Sequence, residues 1–323
     1  MTSVGYDPAA PGAELERRGI RLGDVLFQGV ALAASVAATA LLGLIAYQVF
    51  SDAWPAIEQF GLSFVWTEAW DPVKDTYGAL TFVYGTVVTS IIALLLATPL
   101  SIAIALFLTE IAPRRVAAPI ATLVELLAAV PSVVLGLWGI LVFGPWVRDT
   151  LEPWLQSFLG WCPLFSGEPS QAGMLPAALV LTIMIIPITA SLSRELFLAV
   201  PDELEEGALA LGLTRWEMIR GVVLPYTRGG VVAAVILGLG RAVGEAIAVT
   251  QVIGGLLGIH VSLFQSGDTL ASRIAAQYQG AATNIQVASL VYLALILLLI
   301  SLITNFTAQL IVRRFDLQRT GVA

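Results

Sequence analysis

The chain has 323 residues, of which 58% are hydrophobic and 12% charged, with a formal net charge of −7 and a mean hydropathy of +0.87. Soluble domains carry about 25% charged residues, so a water-soluble fold is excluded, and the acidic balance argues against nucleic acid as a partner. One cysteine (Cys162) excludes an internal disulfide and a multi-thiolate zinc site, and one histidine (His260) argues against a histidine-rich metal centre.

Residues 1–24 are polar and precede an apolar run too long for a cleavable signal, so they are expected to be a tail before a retained membrane helix. About 20 residues cross a hydrocarbon core of about 30 Å. Six runs meet that length: Val25–Phe50, Leu80–Leu108, Ile120–Val147, Met174–Phe197, Val231–Ile259 and Ile285–Val312. They predict an all-α integral membrane protein with its membrane domain over 25–312 and a C-terminal tail over 313–323. Pro99, Pro131 and Pro187 lie inside the second, third and fourth runs, where each removes a backbone hydrogen bond and bends the helix.

Placing the N-terminus in the cytoplasm puts Arg17, Arg18, Arg21, Arg114, Arg115, Arg194, Arg215, Arg220, Arg228, Arg313, Arg314 and Arg319 inside. Only Lys74, Arg148 and Arg273 then lie outside, and this asymmetry orients both termini inward. Trp54, Trp66, Trp70, Trp146, Trp154 and Trp161 fall at or beyond the outer ends, as an interfacial belt with some packed outer structure would require. The outer loops hold Asp52, Glu58, Glu68, Asp71, Asp75, Asp149, Glu152, Glu168 and Asp268, a surface that repels a free anion.

The polar loop 199–228 between the fourth and fifth runs reads as two short helices. Asp202-x-x-Glu205 after Pro201 is a capping arrangement, with acids at the positive end of the helix dipole. Leu204, Ala208 and Leu211 recur on one face, and Gly212 suits a left-handed closing turn. Thr214-x-x-Glu217 is a second capping box, opening a helix that Pro225 limits. Small residues (Gly207, Ala208, Ala210) would let a partner approach closely; on local signals alone, a hairpin that only braces the bundle fits as well.

In the fifth run, Gly238-Leu-Gly240-Arg241-Ala-Val-Gly244-Glu245 places two charges in the membrane, which cost about 3 kcal/mol each at a helix centre. Their i, i+4 spacing predicts one helix face and an ion pair. They either neutralise each other, bind a neighbouring helix or serve a solute: the glycines leave room for a backbone or a solute, Gly240-x-x-x-Gly244 can support a tight GxxxG helix contact, and a guanidinium fork suits an oxyanion. Glu125, in the third run, either reaches water, caps a polar contact or belongs to the same pathway. His260 is expected to make an interfacial hydrogen bond. With no nucleophile–base arrangement and no phosphate-cradling Gly-Lys-Ser/Thr sequence, the chain is expected not to be an enzyme and to leave ATP hydrolysis to another subunit.

Glu206-Gly-Ala-Leu-Ala-Leu-Gly212, continued through Val222-Val-Leu224-Pro225, resembles the coupling loop of ATP-binding-cassette (ABC) importer permeases, whose pattern is Glu-Ala-Ala, Gly six residues after the Glu, then Ile-x-Leu-Pro. Gly207 and Val222 are its mild departures. The resemblance implies a six-helix type I importer permease with cytoplasmic coupling helices. Glu205, Glu206, Gly207, Ala208, Gly212, Leu224 and Pro225 would then meet the ATPase. Val124-Glu-Leu-Leu-Ala-Ala-Val-Pro131-Ser132-Val-Val-Leu-Gly136-Leu-Trp138-Gly, Gly240-Arg241-Ala-Val-Gly244-Glu245 and Leu270-Ala-Ser-Arg273-Ile-Ala narrow it further, because they are similar to the PstC family of phosphate importer permeases.

That resemblance implies inward phosphate transport by alternating access in a bacterial inner membrane. The partners implied are a PstA-like second permease, a PstB-like ATPase dimer holding the ATP and Mg, and a PstS-like phosphate-binding protein. No cofactor is expected on this chain itself. Positions matching Arg241 and Glu245 are associated with phosphate transport in that family. Another oxyanion such as sulfate or molybdate, an ion-gradient-driven secondary transporter, and a non-conducting scaffold or sensor are the competing readings.

Overall fold

The computed structural model describes residues 22–319, which divide at Ser51 into two compact units. Arg17, Arg18 and Arg21 of the predicted tail lie outside the described residues, as does the chain beyond Arg319. The first unit is the leading part of helix α1 (Leu22–Phe60), with Leu26, Phe27, Leu32 and Leu42 all exposed. A helix apolar all round belongs in a membrane.

In the second unit α1 continues ten residues past its predicted end, because Ala53 and Ala56 are fully buried against an aromatic cluster. That cluster is built from α2 (Ser63–Trp66), the antiparallel hairpin β1 (Trp70–Asp71) and β2 (Thr76–Tyr77), and two of the long helices. Phe64 stacks on Tyr292 with ring centroids 4.4 Å apart, and Trp70 meets Tyr77 and Phe82 edge-on. Trp70, expected in the belt, is therefore core, with its indole donating to Gln277 at 2.9 Å. The other five predicted belt tryptophans are exposed.

Helix α3 (Leu80–Leu106) runs through Pro99 unbroken and ends in a π-type turn over 107–111. The third predicted run is not one helix. It is divided into α4 (Arg114–Ala128) and a second stretch, α5 (Ser132–Trp138), α6 (Gly144–Trp146) and α7 (Glu152–Leu159), joined by π-type turns. The break is at Pro131, with ψ 138: proline offers no N–H and pushes the preceding residue out of the helical region. The membrane-length helix is accordingly Ser132–Leu159 rather than Ile120–Val147.

Helix α8 (Met174–Leu198) is the most buried of the long helices and passes through Pro187 without ending. Then follow α9 (Asp202–Ala210), α10 (Arg215–Met218) and α11 (Leu224–Gly244), the last two merged by a π-type turn. The fifth predicted run stops at Gly244; α12 (Ile247–Val252) is separate, and a glycine-rich loop leads to α13 (Leu270–Gln277). Helix α14 (Asn284–Arg319) extends into the predicted C-terminal tail. Among the described residues six helices are long and apolar enough to cross a membrane, so this is a multi-pass membrane protein.

A central core of small and branched side chains, among them Ala93, Ala97, Leu181, Ile185 and Val249, joins α3, α8 and α12. Gly238 fits between α11 and α8 because a Cβ there would stand 2.8 Å from Ile185 and 2.9 Å from Thr189.

Candidate translocation and coupling sites

Arg241 sits in the last turn of α11 and is exposed. Neither Gly240 nor Gly244 would bring a Cβ within 4 Å of another group, so the glycines flanking Arg241 pack against no neighbouring helix among the described residues. The expected Arg241–Glu245 ion pair is absent among the described residues. The reason is local: α11 ends at Gly244, and Glu245 takes an extended conformation (φ −72°, ψ 114°). Its Oε1 instead accepts from the Ala248 N–H at 3.2 Å, closing the first turn of α12. The expected GxxxG contact is not made either; Gly238 does that work against α8.

The segment around Pro131 supports this region from the side. A Cβ at Gly136 would stand 2.8 Å from the Ala248 Cα, and one at Gly139 would stand 2.7 Å from Val252. Helix α5 and the π-type turn after it thus pack Gly136 and Gly139 on α12, so two broken spans meet where their helices restart. The Gln251 Oε1 buried at this contact has no hydrogen-bond partner among the described residues.

Glu125 on α4 faces Arg194 on α8 at 3.9 Å, with its carboxylate more than half exposed. No contact among the described residues brings it near Arg241. His260 offers its carbonyl to the Tyr84 hydroxyl at 2.9 Å, while its Nε2 is buried without a partner among the described residues. Two acids expected on loop surfaces are buried. Glu152 accepts the Ser170 N–H at 2.7 Å, and Asp268 lies 2.5 Å from Arg273. Sequence reading missed the Asp268–Arg273 pair because residues five apart match no helical pairing.

In the loop 199–228, α9 begins at Asp202 with Pro201 as its N-cap, so Asp202 makes no capping hydrogen bond. The second capping box is formed: Thr214 accepts from the Glu217 N–H, and the Glu217 carboxylate accepts from the Thr214 N–H at 2.8 Å. Gly212 has φ +84°, the left-handed turn its position required. Ala208 does not face outward. It is buried with Phe197, Met218, Ile219, Val223 and Val231, whereas Glu206, Gly207 and Ala210 are exposed and Glu205 is half-buried. Leu204 and Leu211 are exposed, so the expected apolar face reduces to Ala208. Leu224 packs at the edge of the same cluster, Pro225 is exposed, and Arg215 donates to the Glu110 carbonyl at 2.9 Å. Burial, with Glu110 and Asp202 nearby, raises the Glu205 carboxyl above its ordinary value.

Residues 97–317 match the family described as binding-protein-dependent transport system inner membrane component. The chain is 42% identical over 308 residues to the phosphate transport system permease protein PstC of Mesorhizobium japonicum, covering 94% of both chains. It is 40% identical to the protein of the same name from Pasteurella multocida, covering 94% of this chain and 96% of that one. A solved bacterial alginate ABC transporter, in complex with a periplasmic protein bound to an alginate pentasaccharide, superposes with a TM-score of 0.57 at 18% identity. That match covers 90% of this chain and 98% of the other, and it speaks for the fold alone.

Proposed function

The chain belongs to the binding-protein-dependent transport system inner membrane component family, among the PstC permeases, and from that premise we propose that it carries inorganic phosphate inward as one permease subunit of an ATP-driven importer. The observation that carries this reading is the 42% identity to a phosphate permease across 94% of both chains. A PstA-like permease would complete the pore, and a PstB-like ATPase dimer would hold ATP and Mg against the loop 199–228. A PstS-like carrier would deliver phosphate at the opposite end. The arginine asymmetry supports a cytoplasmic loop 199–228 with both termini inside.

Arg241 supports a pathway role because an exposed guanidinium in a membrane helix needs an anion or water beside it. Its planar fork offers charge-assisted hydrogen bonds to phosphate oxygens. Glu245, occupied by the Ala248 N–H, does not neutralise it in this conformation. Ala208 roots α9 in a cluster shared with the inner end of α8 and the start of α11. A push on α9 would therefore move α11, whose far end bears Arg241, which is the alternating-access stroke.

The test is ATP-dependent uptake of labelled phosphate by cells lacking high-affinity phosphate import and expressing this chain with the three partners. Competition by arsenate, and none by sulfate or molybdate, is the expected result. An intact complex that takes up no phosphate would sink the assignment and point to another oxyanion.

A further inference from the structure

Of the three cations assigned to the outer side, Lys74 and Arg148 are surface residues paired with Asp71 and Asp149. Arg273 differs, being only 7% exposed. Its Nη2 lies 2.5 Å from the Asp268 carboxylate, which is itself 4% exposed, and also donates to the Gly255 carbonyl at 3.2 Å. The Phe82 ring covers the guanidinium at 4.9 Å. A buried ion pair is weak evidence for stability, since desolvation opposes the attraction. What distinguishes this one is what its two ends hold.

At one end the Asp268 backbone lies directly on α3. A Cβ at Gly85 would stand 2.0 Å from the Asp268 carbonyl oxygen, and the Leu270 N–H donates to Thr86 Oγ1 at 3.0 Å. At the other end is Gly255, at φ +71° and with open space around it, in a loop whose Gly254 and Gly258 also have positive φ. Such backbone is free to take other conformations unless something holds it. The loop closes on itself through Gly255 N–H to Gly267 at 2.9 Å and Gly267 N–H to Ile253 at 3.0 Å. Ile253 follows α12, whose first turn is capped by Glu245, and Thr250 of α12 donates to the Ser272 carbonyl beside Arg273 at 3.4 Å.

We propose that Arg273 is a positioning residue for transport. By joining Asp268 to the Gly255 carbonyl it seats the glycine loop against α3, and through α12 it holds Glu245 just past the end of the helix that bears Arg241. It touches no solute; it sets where the outer half of the broken fifth span stands. This rests on the assignment of Arg241 to the phosphate path.

The experiment uses the whole four-component complex in proteoliposomes, with phosphate-loaded carrier outside and ATP within. One variant is Asp268→Asn with Arg273→Gln, which removes both charges and so leaves neither buried unpaired. The second is Gly255→Ala, which keeps the pair and has room for its methyl but strains the loop backbone at positive φ. Both are expected to assemble, to lose uptake by at least about tenfold per complex, and to keep hydrolysing ATP without stimulation by loaded carrier. Uptake per assembled complex within about twofold of the unaltered protein, in the double variant, overturns the proposal, because a purely structural pair would lower only the yield. Should the double variant fail to assemble, Gly255→Ala decides in the same way. No uptake by the unaltered complex overturns both this inference and the phosphate assignment.

Discussion

Arg241 stands exposed in the last turn of α11, with Gly240 and Gly244 leaving space on either side. Arg241→Gln leaves a shorter, neutral amide that can still hydrogen-bond, and removes both the charge and the planar donor fork. Phosphate uptake should fall to background while the complex purifies intact; normal uptake would take Arg241 out of the pathway. Glu245 admits a sharper division. Glu245→Gln retains an oxygen for the Ala248 N–H and loses only charge, whereas Glu245→Ala loses both. If Glu245 acts by holding α12, uptake should survive in Gln and drop in Ala; equal loss in both would mean that the charge itself is used. These two residues were legible in the sequence because membrane spans rarely carry charge. Their geometry was not, because hydropathy runs straight through Gly244 while the backbone does not. The Asp268–Arg273 pair was hidden for a related reason: both residues sit in a segment that composition assigns to an outer surface.

The loop 199–228 was more readable, since caps and turns are written in short-range chemistry. Gly212 and the Thr214–Glu217 box stand as their types require. What short-range signals could not convey was the facing of α9, because the cluster that receives Ala208 comes from α8, α10 and α11. Gly212→Ala places a Cβ in left-handed backbone at a cost of about 1 kcal/mol. If docking needs this turn, the ATPase should bind about fivefold more weakly, and undiminished co-purification would count against it. Glu205 adds a pH dependence. Its carboxyl is raised by burial and then by Glu110 and Asp202, so its contribution to loop stability is full below the ordinary carboxylate value. That contribution is lost as pH rises through the raised value. Amide protection of 202–210 should therefore fall across that window in the wild type and stay level in Glu205→Gln; identical profiles would remove Glu205 as the cause. The division of the third run at Pro131 belongs here as well: the proline was visible, but whether it bends a helix or ends one depends on α12 waiting to receive Gly136.

Burial of Glu152, Asp268 and Arg273 changes the charge the molecule presents at its hairpin end, but not its sign. Glu58, Glu68, Asp149 and Glu168 remain exposed there, while Lys74 and Arg148 are engaged by Asp71 and Asp149. Free phosphate approaching this face is repelled, whereas the proposed carrier would be steered toward it by a basic rim. The aromatic cluster of Phe64, Trp70, Tyr77 and Tyr292 makes the hairpin a firm support rather than a loose loop. Steering by exposed charge is screened over about 8 Å at physiological salt, so carrier association should slow as salt rises while dissociation changes little. Combining Glu58→Gln, Glu68→Gln and Glu168→Gln should flatten that salt dependence without altering uptake at saturating carrier, because no ion pair among the described residues ties them to the Arg241 region. Stopped-flow association between labelled carrier and the assembled complex would read both effects. Association that is indifferent to salt, or faster at high salt, would mean that the carrier is recognised by the exposed apolar residues of the hairpin end, such as Leu62, Trp66 and Val73, and not by its acids.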